Sequence, residues 1–263
     1  MPSPPITLTT DFGTRDHYVA VMKGVIAQLA PQVTVVDVTH EIEPQNLVQA
    51  AFVLRQVLPW FPRGTVHVVV VDPTVGSARR ILAGRYAGQI VLVPDNGIIS
   101  LVHRDFRVED LRLVEDQRHF LPSISATFHG RDIFAPVAAR LASGLSLDRL
   151  GPQAAEVTVW RVARPTISED YVLRGQIIHT DRFGNLITNI ARSDLVTTYK
   201  HRRDVQIYLG AICIGPIRTS FHEVAAGEPL ALIGSMELLE IAINQGSAAT
   251  HFQPAPQLEV IVR

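Results

Sequence analysis

Val66-His67-Val68-Val69-Val70-Val71-Asp72-Pro73 is an apolar, β-branched run that stops at an acid and a proline. Residues of this kind fit a pleated strand, and a nearly continuous apolar run predicts a strand covered on both faces. The pattern occurs twice more upstream: Ile6 to Thr10 ends at Asp11-Phe12-Gly13, and Val33 to Val36 is closed by Asp37. Between these runs Val19, Met22, Ile26 and Leu29 recur at helical spacing, with Asp16 where an N-cap falls, and Leu47, Ala51, Leu54 and Leu58 mark a second helix. The order strand, helix, strand, helix, strand predicts an amino-terminal α/β domain with a mainly parallel sheet.

Further strands are expected at Ile81 to Ala83 and Ile90 to Val93. A helix is expected from Asp132 to Leu141, provided Pro136 lies in its first turn. Arg161 to Asp170, which contains Pro165, Ser168 and two acids, reads as a linker between domains at 1–163 and 171–263. Beyond it, Val172 to Ile178, Leu186 to Ile190, Val205 to Leu209, Leu230 to Ile233, Leu238 to Ile243 and Leu258 to Val262 are short strand-like runs. Gly, Asn, Pro and charged residues separate them, which predicts an all-β, barrel-like carboxy-terminal domain.

The 263 residues are 47% hydrophobic, enough for a large packed core, and 24 basic against 25 acidic side chains leave a net charge of -1. No single-sign field is available to attract a polyanion, so nucleic acid is disfavoured as a partner. Met1 to Ile6 lacks a basic region followed by an apolar one, and the uncharged stretch Ile241 to Leu258 is broken by polar residues and prolines. Neither a signal peptide nor a membrane span is expected, and the reading is a cytoplasmic protein. Cys213, the only cysteine, excludes an internal disulfide and is read as a small buried hydrophobe.

In open α/β sheets ligands bind beyond the carboxyl ends of strands. Four polar clusters stand there: Asp11 with Asp16, Asp37 with His40, Asp72 to Arg80, and Pro94-Asp95-Asn96-Gly97. Singly, each has a plainer reading: Asp16 as a helix cap, Asp95-Asn96-Gly97 as a turn, His40 as a structural histidine. Asp72-Pro73-Thr74-Val75-Gly76-Ser77-Ala78-Arg79-Arg80 lacks the Gly-Lys-Ser/Thr ending of a phosphate loop, and Ser77 lacks a nucleophile elbow. Asp11, Asp72, His40 and His129 are an alternative metal set, without the helical His-pair spacing of common zinc hydrolases.

Taken in order, Thr10-Asp11-Phe12-Gly13-Thr14 with Asp16, Asp37-Val38-Thr39-His40, Asp72 to Gly76 with Arg79-Arg80, Pro94 to Gly97 and His129-Gly130-Arg131-Asp132 form a specific set. Asp181-Arg182-Phe183-Gly184-Asn185, Leu239-Glu240-Ile241-Ala242 and Gly246-Ser247-Ala248 extend it. The whole chain resembles the S-adenosyl-L-methionine (SAM) hydroxide adenosyltransferases, or SAM hydrolases, relatives of the SAM-dependent fluorinase and chlorinase.

The resemblance implies attack of water or hydroxide on C5′ of the SAM ribose, giving adenosine and L-methionine. It implies that Asp72, Arg79 and His129 handle that water. It further implies Asp11 on the ribose hydroxyls, Asp16 and Asp181 near the methionine ammonium, and Phe183 and Asn185 around the adenine. No cofactor or metal is expected, SAM being the substrate. A homotrimer is expected, with sites between the amino-terminal domain of one subunit and the carboxy-terminal domain of the next. Halogenating relatives carry Tyr, Thr and Ser at the positions of Asp72, Val75 and Gly130, which argues for a hydrolase. Two departures from the hydrolase pattern are Thr74, where Gly is usual, and Ser77, where Thr is common. A SAM- or adenosine-binding sensor without turnover is the non-enzymatic alternative.

Overall fold

The computed structural model describes residues 3–160, 163–200, 205–255 and 258–263. It divides into two compact units, Met1–Arg161 and Val162–Arg263. The first contains β1 (Ile6–Thr10), α1 (Tyr18–Leu29), β2 (Val35–Thr39), α2 (Leu47–Val57), β3 (Val66–Val70), β4 (Ile81–Tyr86), β5 (Gln89–Pro94), α3 (Ser100–Asp105), β6 (Val108–Leu113) and α4 (Ala135–Ala142). Its six-stranded sheet runs β2-β1-β3-β5-β4-β6. β1 lies parallel to β2 and β3, β3 is parallel to β5, and β4 is antiparallel to both neighbours.

The run from Val66 to Val71 does not alternate because both of its faces are buried. Val66, Val68 and Val70 pack with Ile6, Leu8, Met22, Ile26 and Val137 on one side of the sheet. Val69 and Val71 pack with Ala50, Leu54, Val91 and Val102 on the other. His67, the one polar break, is buried with both ring nitrogens satisfied: Nδ1 lies 2.8 Å from Thr7 Oγ1, and Nε2 lies 2.7 Å from Gln89 Oε1. Gln89 Nε2 donates to the Leu58 carbonyl at 2.9 Å, which fixes the amide's orientation. Its oxygen therefore accepts from His67 Nε2, and His67 Nδ1 accepts the Thr7 hydroxyl proton.

Several boundaries differ from the sequence expectation. α1 starts at Tyr18 with His17 at its N-cap and no side-chain cap, so Asp16 is an exposed loop residue, not the cap. β2 begins at Val35 because the Val33 amide donates back to the Ala30 carbonyl, and Asp37 lies inside this edge strand, not after it. The expected helix at 132–141 opens as a π-turn, Gly130–Phe134, that runs directly into α4, with Pro136 as the second residue of α4.

The second unit contains β7 (Thr166–Ile167), β8 (Leu173–Thr180), β9 (Leu186–Ala191), α5 (Arg192–Tyr199), β10 (Gln206–Leu209), β11 (Ile212–Arg218), β12 (Pro229–Ile233), β13 (Leu238–Ile243), α6 (Ala248–Phe252) and β14 (Glu259–Val262). The strands run β14-β10-β11-β12-β13-β9-β8-β7, and pairing of β14 with β8 closes seven of them into a barrel with β7 on its flank. Leu239, Ile241 and Ile243 of β13 point into the barrel core with Leu186, Ile207 and Val260. β7 interrupts the expected linker, of which Arg161 and Val162 lie outside the described residues. β11 escapes sequence reading because Gly215 and Pro216 lie within it. Alternation on that strand turns Ile214 inward and Cys213 outward, so the cysteine is exposed, contrary to the buried expectation. Among the described residues no helix is long and apolar enough to cross a membrane.

Burial holds the His67 imidazole below its ordinary pKa, against the hydrogen bond to Gln89. The folded state keeps this ring neutral while the unfolded chain takes up a proton below about pH 6.5, so stability is lost as pH falls through that value. Denaturant titrations from pH 7.5 to 5 are expected to show this decline, and His67→Gln is expected to flatten it.

Candidate active site

The strand order reverses at β1: the chain runs from β1 to β2 on one side and then places β3 on the other. Such a switch point opens a crevice at the carboxyl ends of the two central strands. Asp11 follows β1 there, and Asp72 follows β3 by two residues.

Asp72 is joined to Arg79 at the far end of its own loop. Arg79 Nε donates to Asp72 Oδ2 at 2.7 Å, and Nη2 lies 2.5 Å from the same oxygen. Arg79 Nη2 also lies 2.8 Å from His129 Nδ1. The side chains of Asp72 and Arg79 are only 3% and 9% exposed, so the pair is strongly shielded from solvent. His129 reaches it from the residue just before the π-turn. The loop meets the segment preceding His129 at Gly76, whose φ is +81°; a Cβ there would sit 2.2 Å from the Ala126 carbonyl oxygen. Two further side chains of the loop contact this set: Thr74 Oγ1 donates to Asp72 Oδ1 at 3.2 Å, and Ser77 Oγ accepts from the Arg79 amide at 3.2 Å.

This geometry assigns the histidine's tautomer. A guanidinium has no acceptor, so His129 Nδ1 must offer its lone pair and the proton of the neutral ring resides on Nε2. Burial, followed by the Arg79 charge, holds the imidazole below its ordinary pKa, against the opposing charges of Asp72 and Asp132. Asp132 is itself fastened by Arg131 at 2.5 Å and by the Ser125 amide at 2.8 Å.

The other expected residues of this unit are distributed around the crevice. Asp11 Oδ2 accepts the Gln45 amide at 2.9 Å, and Asp16 is exposed on the loop before α1. His40 is buried, with Nδ1 at 2.9 Å from Thr10 Oγ1 and Nε2 at 3.0 Å from Asp37, which also pairs with Lys23. His40 thus ties the ends of β1 and β2 through its bond to Thr10. Of the four residues in the alternative metal set, Asp72 and His129 are joined through Arg79, whereas Asp11 and His40 are bonded to other groups.

In the second unit, Asp181 organises a tight turn: Oδ1 accepts the amides of Phe183 and Asn185, both at 2.9 Å, and Oδ2 accepts Asn185 Nδ2 at 2.9 Å. These contacts are those of a turn-building residue. With its nitrogen so engaged, Asn185 leaves its amide oxygen as an acceptor. Phe183 is 78% exposed, not a core residue. It lines a hollow of about 520 Å³ with Asn185, Phe221, Ile243 and the stretch Asn244-Gln245-Gly246. Phe221 was missed in the sequence, where it is a lone aromatic in a polar stretch with no periodic partner. Glu240, which stands in one of the ordered motifs without an assigned role, is buried on β13, and burial together with the charge of Asp181 pushes its carboxyl up.

Comparison with known proteins places both units in one family. A model of the SAM hydroxide adenosyltransferase N-terminal domain matches residues 6–151, and one of the C-terminal domain matches residues 175–261. The chain belongs to the SAM hydroxide adenosyltransferase family. It is 40% identical to the (R)-S-adenosyl-L-methionine hydrolase of Thermus thermophilus, covering 93% of each chain. A fluorinase from Actinoplanes sp. is more distant, at 28% identity over 99% of this chain and 97% of that one. The crystal structure of an uncharacterized conserved protein from Thermotoga maritima superposes with a TM-score of 0.91 at 35% identity, covering 98% of this chain and 99% of that one. The Asp72, Arg79 and His129 constellation thus lies within the N-terminal family domain, and the Phe183 and Asn185 hollow within the C-terminal one.

In an NMR pH titration, His129 is expected to titrate below the ordinary histidine value of about 6.5. Arg79→Met, which removes the neighbouring charge and the donor to Nδ1, is expected to raise that pKa.

Proposed function

We propose that this chain hydrolyses S-adenosyl-L-methionine to adenosine and L-methionine. The observation that carries the reading is the buried guanidinium of Arg79, which bridges Asp72 and His129 at the switch point of the sheet. Water oxygen attacks C5′ of the ribose, the C5′–S bond breaks, and its electron pair passes to the sulfonium, which leaves as the neutral thioether of methionine. One proton of the attacking water is released as adenosine forms. The leaving group needs no protonation, so the protein's task is to place and polarise a single water in line with the breaking bond.

Arg79 stays protonated and stabilises hydroxide character on that water. His129, with its proton on Nε2 and Nδ1 taken by Arg79, orients the water as a donor. Asp72 is the member of the set left with an acceptor lone pair, on the Oδ1 that among the described residues accepts only the Thr74 hydroxyl, and is our assignment for the group that receives the proton. Asp11 pairs with the ribose hydroxyls, and Asp16 and Asp181 attract the methionine ammonium. The aromatic rings of Phe183 and Phe221 and the free amide oxygen of Asn185 suit the face and the exocyclic amino group of adenine. The proposed reaction uses no cofactor or metal, and on the resemblance the protein acts as a cytoplasmic homotrimer, an assembly that light scattering tests.

Purified protein incubated with SAM in chelator-containing, halide-free buffer is expected to release adenosine and methionine in equal amounts. SAM bound but left intact would overturn this in favour of a sensor. Arg79→Ala is expected to lower kcat by roughly 10²- to 10³-fold while calorimetry still detects SAM binding. Asn185→Ala, which removes one hydrogen-bond partner, is expected to raise KM by about tenfold, or about 1.4 kcal/mol.

A further inference from the structure

Asp72 and Arg79 sit at opposite ends of a loop with little regular structure of its own. Its internal backbone bonds are Val75 N to Asp72 O at 3.2 Å and Ser77 N to Thr74 O at 3.1 Å. Something outside the loop must hold its ends at the spacing that the Asp72–Arg79 pair requires. We propose that Asp95 and Asn96 are positioning residues for the reacting set, their side chains fastening the two ends of the 71–80 loop. The inference rests on the reading of Asp72, Arg79 and His129 given above.

The two side chains grip opposite ends. Asn96 Nδ2 donates to the carbonyl of Val71, the residue before Asp72, at 3.0 Å. Asp95 Oδ2 accepts from Arg80, the residue after Arg79, with Nε at 2.8 Å and Nη2 at 2.5 Å. The Asp95 amide donates to the Arg80 carbonyl at 3.0 Å, so Arg80 is held at both its backbone and its side chain. A plain turn at 94–97 would account for none of these side-chain bonds, because their partners lie 15 and 25 residues away.

The brace is itself anchored. Asp95, its side chain 2% exposed, also accepts the Thr158 amide at 2.7 Å on Oδ1. Trp160 donates its indole N–H to the Asn96 carbonyl at 3.3 Å and its amide to Ser100 Oγ at 2.9 Å. Gly97, at φ +101°, lies against that indole, and a Cβ there would fall 1.9 Å from Nε1. The carboxyl end of β5, the stretch 158–160 and the 71–80 loop are thus locked in series. Small displacements of a positioned group cost large factors in rate, about 10² for 1 Å, so slackening either end should act on the chemical step and not on substrate affinity.

The test uses Asn96→Ala, Asp95→Asn and the milder Arg80→Lys, each verified as folded by circular dichroism; Arg80→Lys keeps the charge but loses the planar fork. Folded Asn96→Ala and Asp95→Asn are each expected to lower kcat for SAM by tenfold or more, and Arg80→Lys by about threefold, all with KM within twofold of wild type. The second readout needs no turnover: slackening the loop moves Arg79 off His129, so the His129 pKa from NMR titration rises toward the ordinary value. An unchanged His129 titration overturns the inference whatever the rates do, as does a rise in KM with kcat intact. Wild-type protein that leaves SAM intact overturns the hydrolase reading instead, and the His129 titration of the variants then decides the inference by itself.

Discussion

One guanidinium, that of Arg79, ties the chemistry of this protein to its fold. It takes its Asp72 partner from its own loop and its His129 partner from the turn before α4, so a single planar fork joins two segments about fifty residues apart. Ionised groups this deeply buried are tolerated only when paired, and deleting one member of such a pair typically costs about 3–5 kcal/mol. The interaction therefore sets the local structure as firmly as it sets the site. It also fixes the tautomer of His129, because arginine can only donate.

The sheet supplies the place for this pair. Reversal of strand order between β2-β1 and β1-β3 opens the crevice, and the two-sided burial of β3 makes its carboxyl end rigid. His67 adds a polar tie inside that packing: it joins β1 to β5 across β3 through Thr7 and Gln89, so three neighbouring strands keep their alignment behind the site. The loops beyond them can then be irregular without being loose. Thr74 and Ser77 illustrate this, since each bonds directly to a member of the Asp72–Arg79 pair.

The carboxy-terminal unit solves a different problem. Its seven-stranded closure removes free edges between β8 and β14, leaving turns and loops free to vary. The turn from Asp181 to Asn185 shows how one carboxylate can order a turn: it accepts two backbone amides and a carboxamide, and Phe183 stands exposed within it.

The sequence by itself determined the two-part architecture, since runs of β-branched residues and helical spacings are local signals of burial. It also determined the candidate residues Asp11, Asp72, Arg79, His129, Phe183 and Asn185, because their ordered motifs can be read without coordinates. It misplaced Asp16 as a helix cap, buried Cys213 and overlooked β6 and β11, because capping and exposure depend on how the chain turns, and β11 hides behind a glycine and a proline. Only the tertiary structure decided that Arg79 lies between Asp72 and His129, that His40 bonds Thr10, and that Phe221 joins Phe183. Each of those facts is a distance between segments remote in the chain, and side-chain hydrogen bonds of that range follow from packing, which no local pattern encodes.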